Sequence, residues 1–205
     1  VITCPPVALD NGSLVLYARD ESTEMPATVR LTSTDNGASW KPETLDWAEK
    51  AGILVRWTAR QDGTVAFTTT ESTLWLAKPD GSLTQMDLNV DGNSFSLSQV
   101  CFLSDGTLAA VPAGGPGISL PGNILFYDTD AQKVKSWVQV SSGNKSWAGA
   151  GTNGDGENVY FGDNDIVGIL PASDENGSFL YYFSANGDLC RADQDGTTQT
   201  VQTGF

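Results

Sequence analysis

Apolar and polar residues alternate in short runs along most of the chain, and the runs end in turns rich in Asp, Asn and Gly. The clearest example is residues 53–88, where four such runs are separated by the turns QDG and PDG and by one polar link. Alternation with a period of two is typical of β-strands, whereas apolar residues three and four apart, the pattern of helices, are hard to find. The pattern therefore predicts an all-β protein built from short strands.

The pattern also repeats. A turn followed by a β-rich run recurs at residues 10–17, 62–67, 105–111 and, more loosely, 164–169. A second alternating run follows each of these, at residues 28–33, 73–77, 123–127 and 179–183. A period of about 40 to 50 residues carrying roughly four strands is typical of a propeller blade.

The repeat predicts one β-propeller domain or propeller segment made of four-stranded blades. About four blades fit the chain, at residues 1–48, 49–92, 93–143 and 144–205. The stretches 112–122 and 141–156, rich in Gly with Pro or Asn and Asp, are predicted to be loops, which in a propeller often carry function.

Residues 33–40, which read STDNGASW, resemble the Asp-box, or BNR repeat, of sialidase-like β-propellers, whose pattern is Ser-x-Asp-x-Gly-x-Thr-Trp. Ser39 in place of Thr is the one departure. The other blades keep looser Asp-Gly turns, similar to those of larger propellers such as the virginiamycin-lyase-like group. The resemblance implies that the box residues Ser33, Asp35, Gly37 and Trp40 are structural: Asp caps the turn, Gly takes a positive φ and Trp packs beneath the hairpin.

The resemblance also bears on the number of blades, because families with such repeats usually have more than four. Either the chain closes as a small propeller, or it is a segment of a larger ring completed by further sequence or by another copy; we favour the segment. An incomplete ring exposes apolar blade faces, which favours association into a homo-oligomer or with further blades.

Several enzyme classes fit the sequence poorly. The chain has no His, which excludes the histidine base of the virginiamycin-type lyases and of the usual serine or cysteine hydrolase triads. A sialidase needs three arginines, a Tyr-Glu pair and an Asp acid, and none of the five arginines lies in the Arg-Ile-Pro context that opens that family. We therefore expect no catalytic residues in this chain.

Charge and cysteine content indicate which partners and which cellular location to expect for the protein. Eleven basic against twenty-five acidic residues give a net charge of -14, so a polyanion such as nucleic acid is not an expected partner. No apolar run approaches the roughly 20 residues of a membrane-spanning helix. Cys4, Cys101 and Cys190 are widely spaced and are expected to be buried thiols. The acidity is typical of an extracellular or cell-surface protein, here placed in a bacterium.

Candidate ligand-binding residues come from strands and loops. Arg56 and Arg60 share the face of one strand opposite Ile53, Val55, Trp57 and Ala59, and bind either an anionic group or nearby carboxylates. Trp147 and Tyr160 stand out among the aromatic residues that could stack on sugars or anchor a protein. That set also includes Trp137, Tyr181 and Tyr182, whereas Trp57 and Trp75 are expected in the core.

No cofactor is predicted. Asn153, Asp155 and Glu157 alternate as Ca²⁺ ligands do, and Asp193 and Asp195 precede Gly196, but the bidentate Glu of a full calcium loop is absent. Ordinary turn carboxylates are the preferred interpretation.

These features predict a non-catalytic extracellular or cell-surface binding or interaction module, with carbohydrate or protein as its ligand. The alternative is part of a carbohydrate-active, glycoside-hydrolase-like propeller enzyme completed by further blades. Convergence of Arg56, Arg60 and a carboxylate in one pocket would favour the enzyme.

Overall fold

The computed structural model describes residues 5–20, 22, 27–45, 47–69, 73–86, 89–90, 93–94, 97–112, 123–140, 147–152, 158–162, 166–184 and 187–204. These residues belong to two compact units, Val1–Leu88 and Asn89–Phe205. Apart from one short helix, α1 (Ala48–Ala51), the regular structure in the described part of the chain consists of β-strands.

The first unit contains two four-stranded antiparallel sheets, each with its strands in chain order. The first sheet consists of β1 (Val7–Ala8), β2 (Leu14–Asp20), β3 (Ala27–Ser33) and β4 (Lys41–Thr44). The second consists of β5 (Leu54–Ala59), β6 (Val65–Thr69), β7 (Leu74–Ala77) and β8 (Leu83–Met86).

The second unit contains two further sheets of the same kind and two hairpins. The third four-stranded sheet consists of β11 (Leu97–Phe102), β12 (Leu108–Pro112), β13 (Asn123–Asp128) and β14 (Lys133–Gln139). The fourth consists of β17 (Ile166–Asp174), β18 (Gly177–Ser184), β19 (Leu189–Asp193) and β20 (Thr198–Gln202). The hairpins are β9 (Asn89–Val90) with β10 (Asn93–Ser94), and β15 (Trp147–Thr152) with β16 (Asn158–Gly162).

The four antiparallel sheets are the propeller blades that the sequence predicts, and the all-β prediction is confirmed. Each sheet lies inside one of the four predicted residue ranges, since the sheets occupy residues 7–44, 54–86, 97–139 and 166–202. A meander of four strands with both faces apolar buries its surface against neighbouring sheets, which is the packing unit of a propeller.

The same type of turn recurs between many of the described strands. In six hairpins a Gly with φ between +80° and +95° donates its N–H to the carbonyl three residues earlier: Gly12, Gly63, Gly81, Gly106, Gly187 and Gly196. In five of them the preceding Asp or Asn accepts the N–H of the Ser or Thr two residues on: Asn11, Asp62, Asp80, Asp105 and Asp195. Only Gly adopts this positive φ at little cost, so the Asp-Gly pairs of the sequence fix where the strands reverse.

Each unit has its own hydrophobic core. In the first unit, Tyr17 of β2 packs edge-on against Trp57 of β5, with ring centroids 4.8 Å apart. Trp47, just before α1, stacks on the fully buried Phe67 at 4.7 Å. In the second unit, Ile124 and Phe126 of the third sheet pack with Leu180, Tyr182, Cys190 and Ala192 of the fourth. Trp57 is 1% exposed, as expected for a core residue, and Trp75 is partly buried against the same core.

A side-chain amide also ties the third and fourth sheets together. Gln99 on β11 accepts the N–H of Ile169 through Oε1 at 3.1 Å, and its Nε2 donates to the carbonyl of Ile166 at 3.4 Å. The strand β17 is irregular between Ile166 and Gly168, so its backbone is free there to bond a side chain of the neighbouring sheet.

The fourth sheet differs from the predicted repeat. In the other three copies the turn and the run after it lead into the second strand of a sheet, but Ile166–Asp174, which contains the fourth copy's run, is the first strand of its sheet. The turn that matches the other copies is at Asp174–Gly177, where Asp174 accepts the N–H of Asn176. Part of the predicted 141–156 loop is also strand, because Trp147–Thr152 pairs with Asn158–Gly162. Residues 113–122, most of the other predicted loop, lie outside the described residues.

The predicted apolar face of β5 is wrong at Leu54 and Val55. The pairing register shifts between Leu54 and Arg56, so Leu54 rather than Val55 is buried, at 3% exposure, together with Trp57 and Ala59. A bulge moves the residues on one side of it to the opposite face, which simple alternation does not capture.

Two of the three cysteines lie among the described residues, and both are free thiols. Cys190 is buried, and burial raises the pKa of the Cys101 thiol to about 12. The environment of Cys101 therefore does not favour a thiolate. Cys4 lies outside the described residues.

Candidate functional site

The hairpin between β3 and β4 holds the four predicted box residues. Ser33 is the last residue of β3; its buried Oγ accepts the N–H of Gly37 and donates to Asp35 Oδ1, both at 2.8 Å. Asp35 in turn accepts the N–H of Ser39 at 2.9 Å. Hydrogen bonds from Ser39 and Ser33 lower the pKa of the Asp35 carboxyl to about 2. The polar atoms of Ser33 and Asp35 are thus used inside the turn.

Gly37 and Trp40 complete this hairpin. Gly37 has φ +88°, and a Cβ built on it would lie 3.8 Å from the indole of Trp40 and from the Leu14 side chain. Trp40 is half-buried against the first core. The ring therefore covers the backbone of the turn, as aromatic anchors of tight hairpins do.

The structure places the two candidate arginines at different points of the second sheet. Arg56 is exposed on β5 and donates to the carbonyl of Val55 at 3.3 Å. Arg60 follows β5 and forms an ion pair with Asp62 at 2.6 Å, with a further hydrogen bond to Thr64 Oγ1 at 3.2 Å. Arg60 therefore braces the β5–β6 turn, which is the carboxylate-pairing role considered for it in the sequence.

Trp147 and Tyr160 lie on neighbouring strands of one hairpin. Trp147 begins β15 opposite Gly162, and Tyr160 on β16 lies opposite Ala150. The side chains of both residues lie outside the described part of the structure, so their role in ligand binding stays a prediction.

Of the candidate calcium ligands, some lie outside the described residues and the others take part in local ion pairs or turns. Asn153, Asp155 and Glu157 lie outside the described residues. Asp193 pairs with Arg191 at 2.7 Å, and Asp195 accepts the N–H of Thr197 at 2.9 Å within its turn. Among the described residues, no three His, Cys, Asp or Glu side chains come together as metal ligands.

The fourth sheet presents an apolar surface that sequence analysis named only in part. Alternate residues of β18 point to one side: Phe179, Tyr181 and Phe183. Leu170 on β17 pairs with Tyr181, and Leu189 on β19 pairs with Phe183, so both add to the same side. We call these five residues the aromatic face. The opposite side of β18 carries Leu180 and Tyr182 into the core of the unit.

Burial changes along the aromatic face. Phe179 is 3% exposed, whereas Phe183 is 38% and Leu170 is 59% exposed. Phe183 pairs across the strands with Gly168, and a Cβ built on Gly168 would lie 3.9 Å from the Phe183 ring. Leu170 and Phe183 are diagonal neighbours in the register, close enough for large side chains to form one patch.

The side chain of Arg191 covers the buried end of the aromatic face. The Arg191 guanidinium lies 3.6 Å from the centroid of the Phe179 ring and forms ion pairs with Asp193 and Asp174, both at 2.7 Å. Phe179 also packs edge-on against Tyr181 at 5.1 Å. The hydrogen bonds that Arg191 donates to these two carboxylates raise the pKa of its guanidinium. The Arg191 charge is thus paired with two carboxylates at the buried end, and Leu170 and Phe183 form the accessible end.

A signal for this face was present in the sequence. The run Phe179-Leu-Tyr-Tyr-Phe183 is apolar at every position, so both sides of the strand are apolar. A strand of this kind buries one side within its own unit and needs a partner for the other. Tyr181 and Tyr182 are among the aromatic residues predicted to contact a ligand, but Phe179, Phe183 and Leu170 are not.

Comparison with known proteins identifies the fold. No family model and no curated protein sequence matches the chain. A structure of YCF48 bound to a D1 peptide matches with a TM-score of 0.54 and 18% identity, over 94% of this chain and 50% of that one.

Two auxiliary nutrient binding proteins match in the same way. The protein from Bacteroides ovatus gives a TM-score of 0.56 and that from Bacteroides thetaiotaomicron 0.55, each with 12% identity over 95% of this chain and 46% of theirs. This chain therefore spans about half the length of each of these three structures. At these identities the likeness shows the fold alone, that of β-propeller proteins.

Proposed function

We propose that the chain is a non-catalytic binding module of the β-propeller class that contacts a protein segment through the open end of the aromatic face. The observation that carries this proposal is the pair Leu170 and Phe183, which lie 59% and 38% exposed on the fourth sheet. Exposed large apolar side chains that form a contiguous patch mark interaction surfaces more often than scattered ones do. Aromatic anchors of this kind dominate binding energy at protein interfaces.

The chemistry of the patch favours protein over carbohydrate. Sugar rings need hydrogen-bonding groups beside the stacking ring, but the guanidinium next to this face is already paired with Asp174 and Asp193. The exposed residues themselves are a Leu and a Phe, which fit an apolar side chain of a partner. The fold is shared with a propeller that was solved with a peptide bound, which supports a peptide as the ligand class.

A peptide selection with a matched control tests this function. The chain is screened in parallel against a phage-displayed random peptide library and a glycan array. We expect peptides with apolar or aromatic residues to be enriched, and Leu170→Asp and Phe183→Ser to lose their binding. Trp137→Ser is the control, because Trp137 is also exposed, at 43%, but lies on β14 of the third sheet, outside the aromatic face. Glycan binding without peptide binding, or peptide binding that survives Leu170→Asp, contradicts the proposal.

We also propose that residues 33–40 form an Asp-box turn of the sialidase-like type with a structural role. In support, Asp35 accepts the Ser39 N–H, Gly37 has a positive φ and Trp40 packs over the turn. Asp35→Ala with binding measured on the folded fraction tests this assignment. Loss of binding without loss of stability would give the turn a direct role in the ligand site.

We further propose an extracellular or cell-surface location in a bacterium. A net charge of -14 and the nutrient-binding names of two Bacteroides propellers of the same fold support it. In the described part of the chain, no helix is long and apolar enough to cross a membrane. Protease treatment of intact cells tests the location: a surface protein is cleaved, and a protein that resists until the cells are lysed contradicts it.

A further inference from the structure

The outer strand of the fourth sheet has an open edge. All five residues of β20 are exposed, and in the described part of the chain β20 pairs with β19 alone. Among the residues that the structure describes, the backbone N–H and C=O groups on its other edge therefore have no strand partner. An exposed edge strand is a template on which another extended strand can pair.

Other outer strands carry residues that discourage such pairing. The strand β4 contains Lys41, Pro42 and Glu43, and β14 contains Lys133 and Lys135. Charges and Pro on an edge are the usual protection against strand addition. By contrast β20 reads TQTVQ, without a charge or a Pro. The strand β8 is also uncharged, but only Gln85 of its four residues is fully exposed.

We propose that β20 pairs antiparallel with β20 of a second copy of this chain. The pairing of β20 with β19 is regular at Thr198, Gln199 and Thr200 and shifts after Thr200, so the regular edge is centred on Gln199. In a two-fold symmetric pair centred there, Gln199 lies opposite itself and Thr198 lies opposite Thr200. Cross-strand Thr pairs stabilise antiparallel sheets, and one self-complementary patch closes a dimer.

Charge favours a second copy at this edge over other surfaces of the molecule. Two chains of net charge -14 repel each other, and an approach through an uncharged strand places no carboxylates directly opposite each other. This inference is independent of the proposed function, because it uses the edge of the sheet and not the aromatic face. Only a few residues pair, so the dimer is expected to be weak and to depend on protein concentration.

Charge-swap variants of Gln199 test the pairing. Sedimentation velocity across a concentration series should show a monomer–dimer equilibrium for the 205-residue chain. Gln199→Lys and Gln199→Glu each place like charges opposite each other and should weaken the dimer by about tenfold or more. An equal mixture of the two variants should restore it as a heterodimer, detected by native mass spectrometry. Gln85→Lys on β8 is the matched control and should leave the dimer unchanged.

Each outcome decides the proposal. Circular dichroism first confirms that the variants are folded, and the mixture provides a test that a merely destabilised variant would fail. A chain that stays monomeric at every concentration overturns the pairing. So does a dimer that both variants leave intact, or a pair of variants that remains monomeric after mixing.

Discussion

The side-chain amide of Gln194 donates a hydrogen bond to the carboxylate of Asp105 at 2.8 Å and so joins the last turn of the fourth sheet to the first turn of the third. The same amide donates to the carbonyl of Ser178 at 3.0 Å, and its oxygen accepts from Lys135 and Thr107 at 2.8 Å and 3.2 Å. Every donor and acceptor position of the side chain is used. Gln194 is therefore the polar centre at which these two sheets of the second unit are held together.

Replacing Gln194 should loosen the second unit. Gln194→Ala removes four hydrogen bonds and leaves part-buried partners unsatisfied, so we expect the free energy of unfolding to fall by about 2 kcal/mol. Urea titration measures it, with Gln85→Ala on the exposed edge of the second sheet as the control. Equal stability of the two variants would show that the network does not hold the sheets.

Replacing two neighbouring threonines on β6 should change the free energy of unfolding in opposite directions. Both are 3% exposed, but Thr69 bonds Thr73 at 2.9 Å, whereas the Thr68 hydroxyl has no hydrogen-bond partner among the described residues. Thr68→Val should raise the free energy of unfolding by about 1 kcal/mol, because it removes a buried unsatisfied group. Thr69→Val should lower it by about 1 kcal/mol. Denaturant unfolding measures both variants. An equal loss of unfolding free energy in the two would show that the Thr68 hydroxyl has a hydrogen-bond partner.

The hairpin of residues 33–40 should matter for stability and not for binding. Asp35→Ala removes the acceptor of the Ser39 N–H and leaves that end of the turn without its cap, so the melting temperature should fall by a few degrees. Differential scanning calorimetry measures this shift. Asp130→Ala, in another exposed turn, serves as the control and should cause a smaller change.

Turn carboxylates should make the protein sensitive to acid. Hydrogen bonds lower the pKa of Asp35 from 3.8 to about 2, and those from Thr197 and Ser82 lower the pKa values of Asp195 and Asp80. A folded-state pKa below the unfolded one means stability that is present above the unfolded pKa and is lost as pH falls through the folded one. Unfolding free energies should therefore be level above about pH 4 and decline towards pH 2. Asp35→Asn should make that decline shallower; an unchanged slope would remove Asp35 from its cause.

The four-stranded sheets could be predicted from the sequence, because the residues that determine each turn lie within that turn. Asp62-Gly63 and Asp105-Gly106 turn the chain where the pattern predicts, since a positive φ and a side-chain cap depend on neighbouring residues alone. The start of the fourth sheet was misplaced because Ile166–Asp174 is longer than the other first strands and its turn contains Glu and Asn instead of an Asp-Gly pair.

The candidate site was less predictable, because it depends on which side of a strand finds a neighbour. Leu180 and Phe183 belong to the same apolar run, yet one is fully buried and the other 38% exposed. Leu180 is buried because it packs with Ile124 and Phe126 of the third sheet, and alternation along one strand does not report such contacts between distant segments.

Hydrogen exchange on the chain with a selected peptide bound tests the central claim most directly. If the module binds through the aromatic face, the peptide should protect the amides around Leu170 and Phe183 and leave those of β5, around Arg56, unchanged. Protection confined to β5 or to the hairpin of residues 33–40, with none on the fourth sheet, would contradict the account.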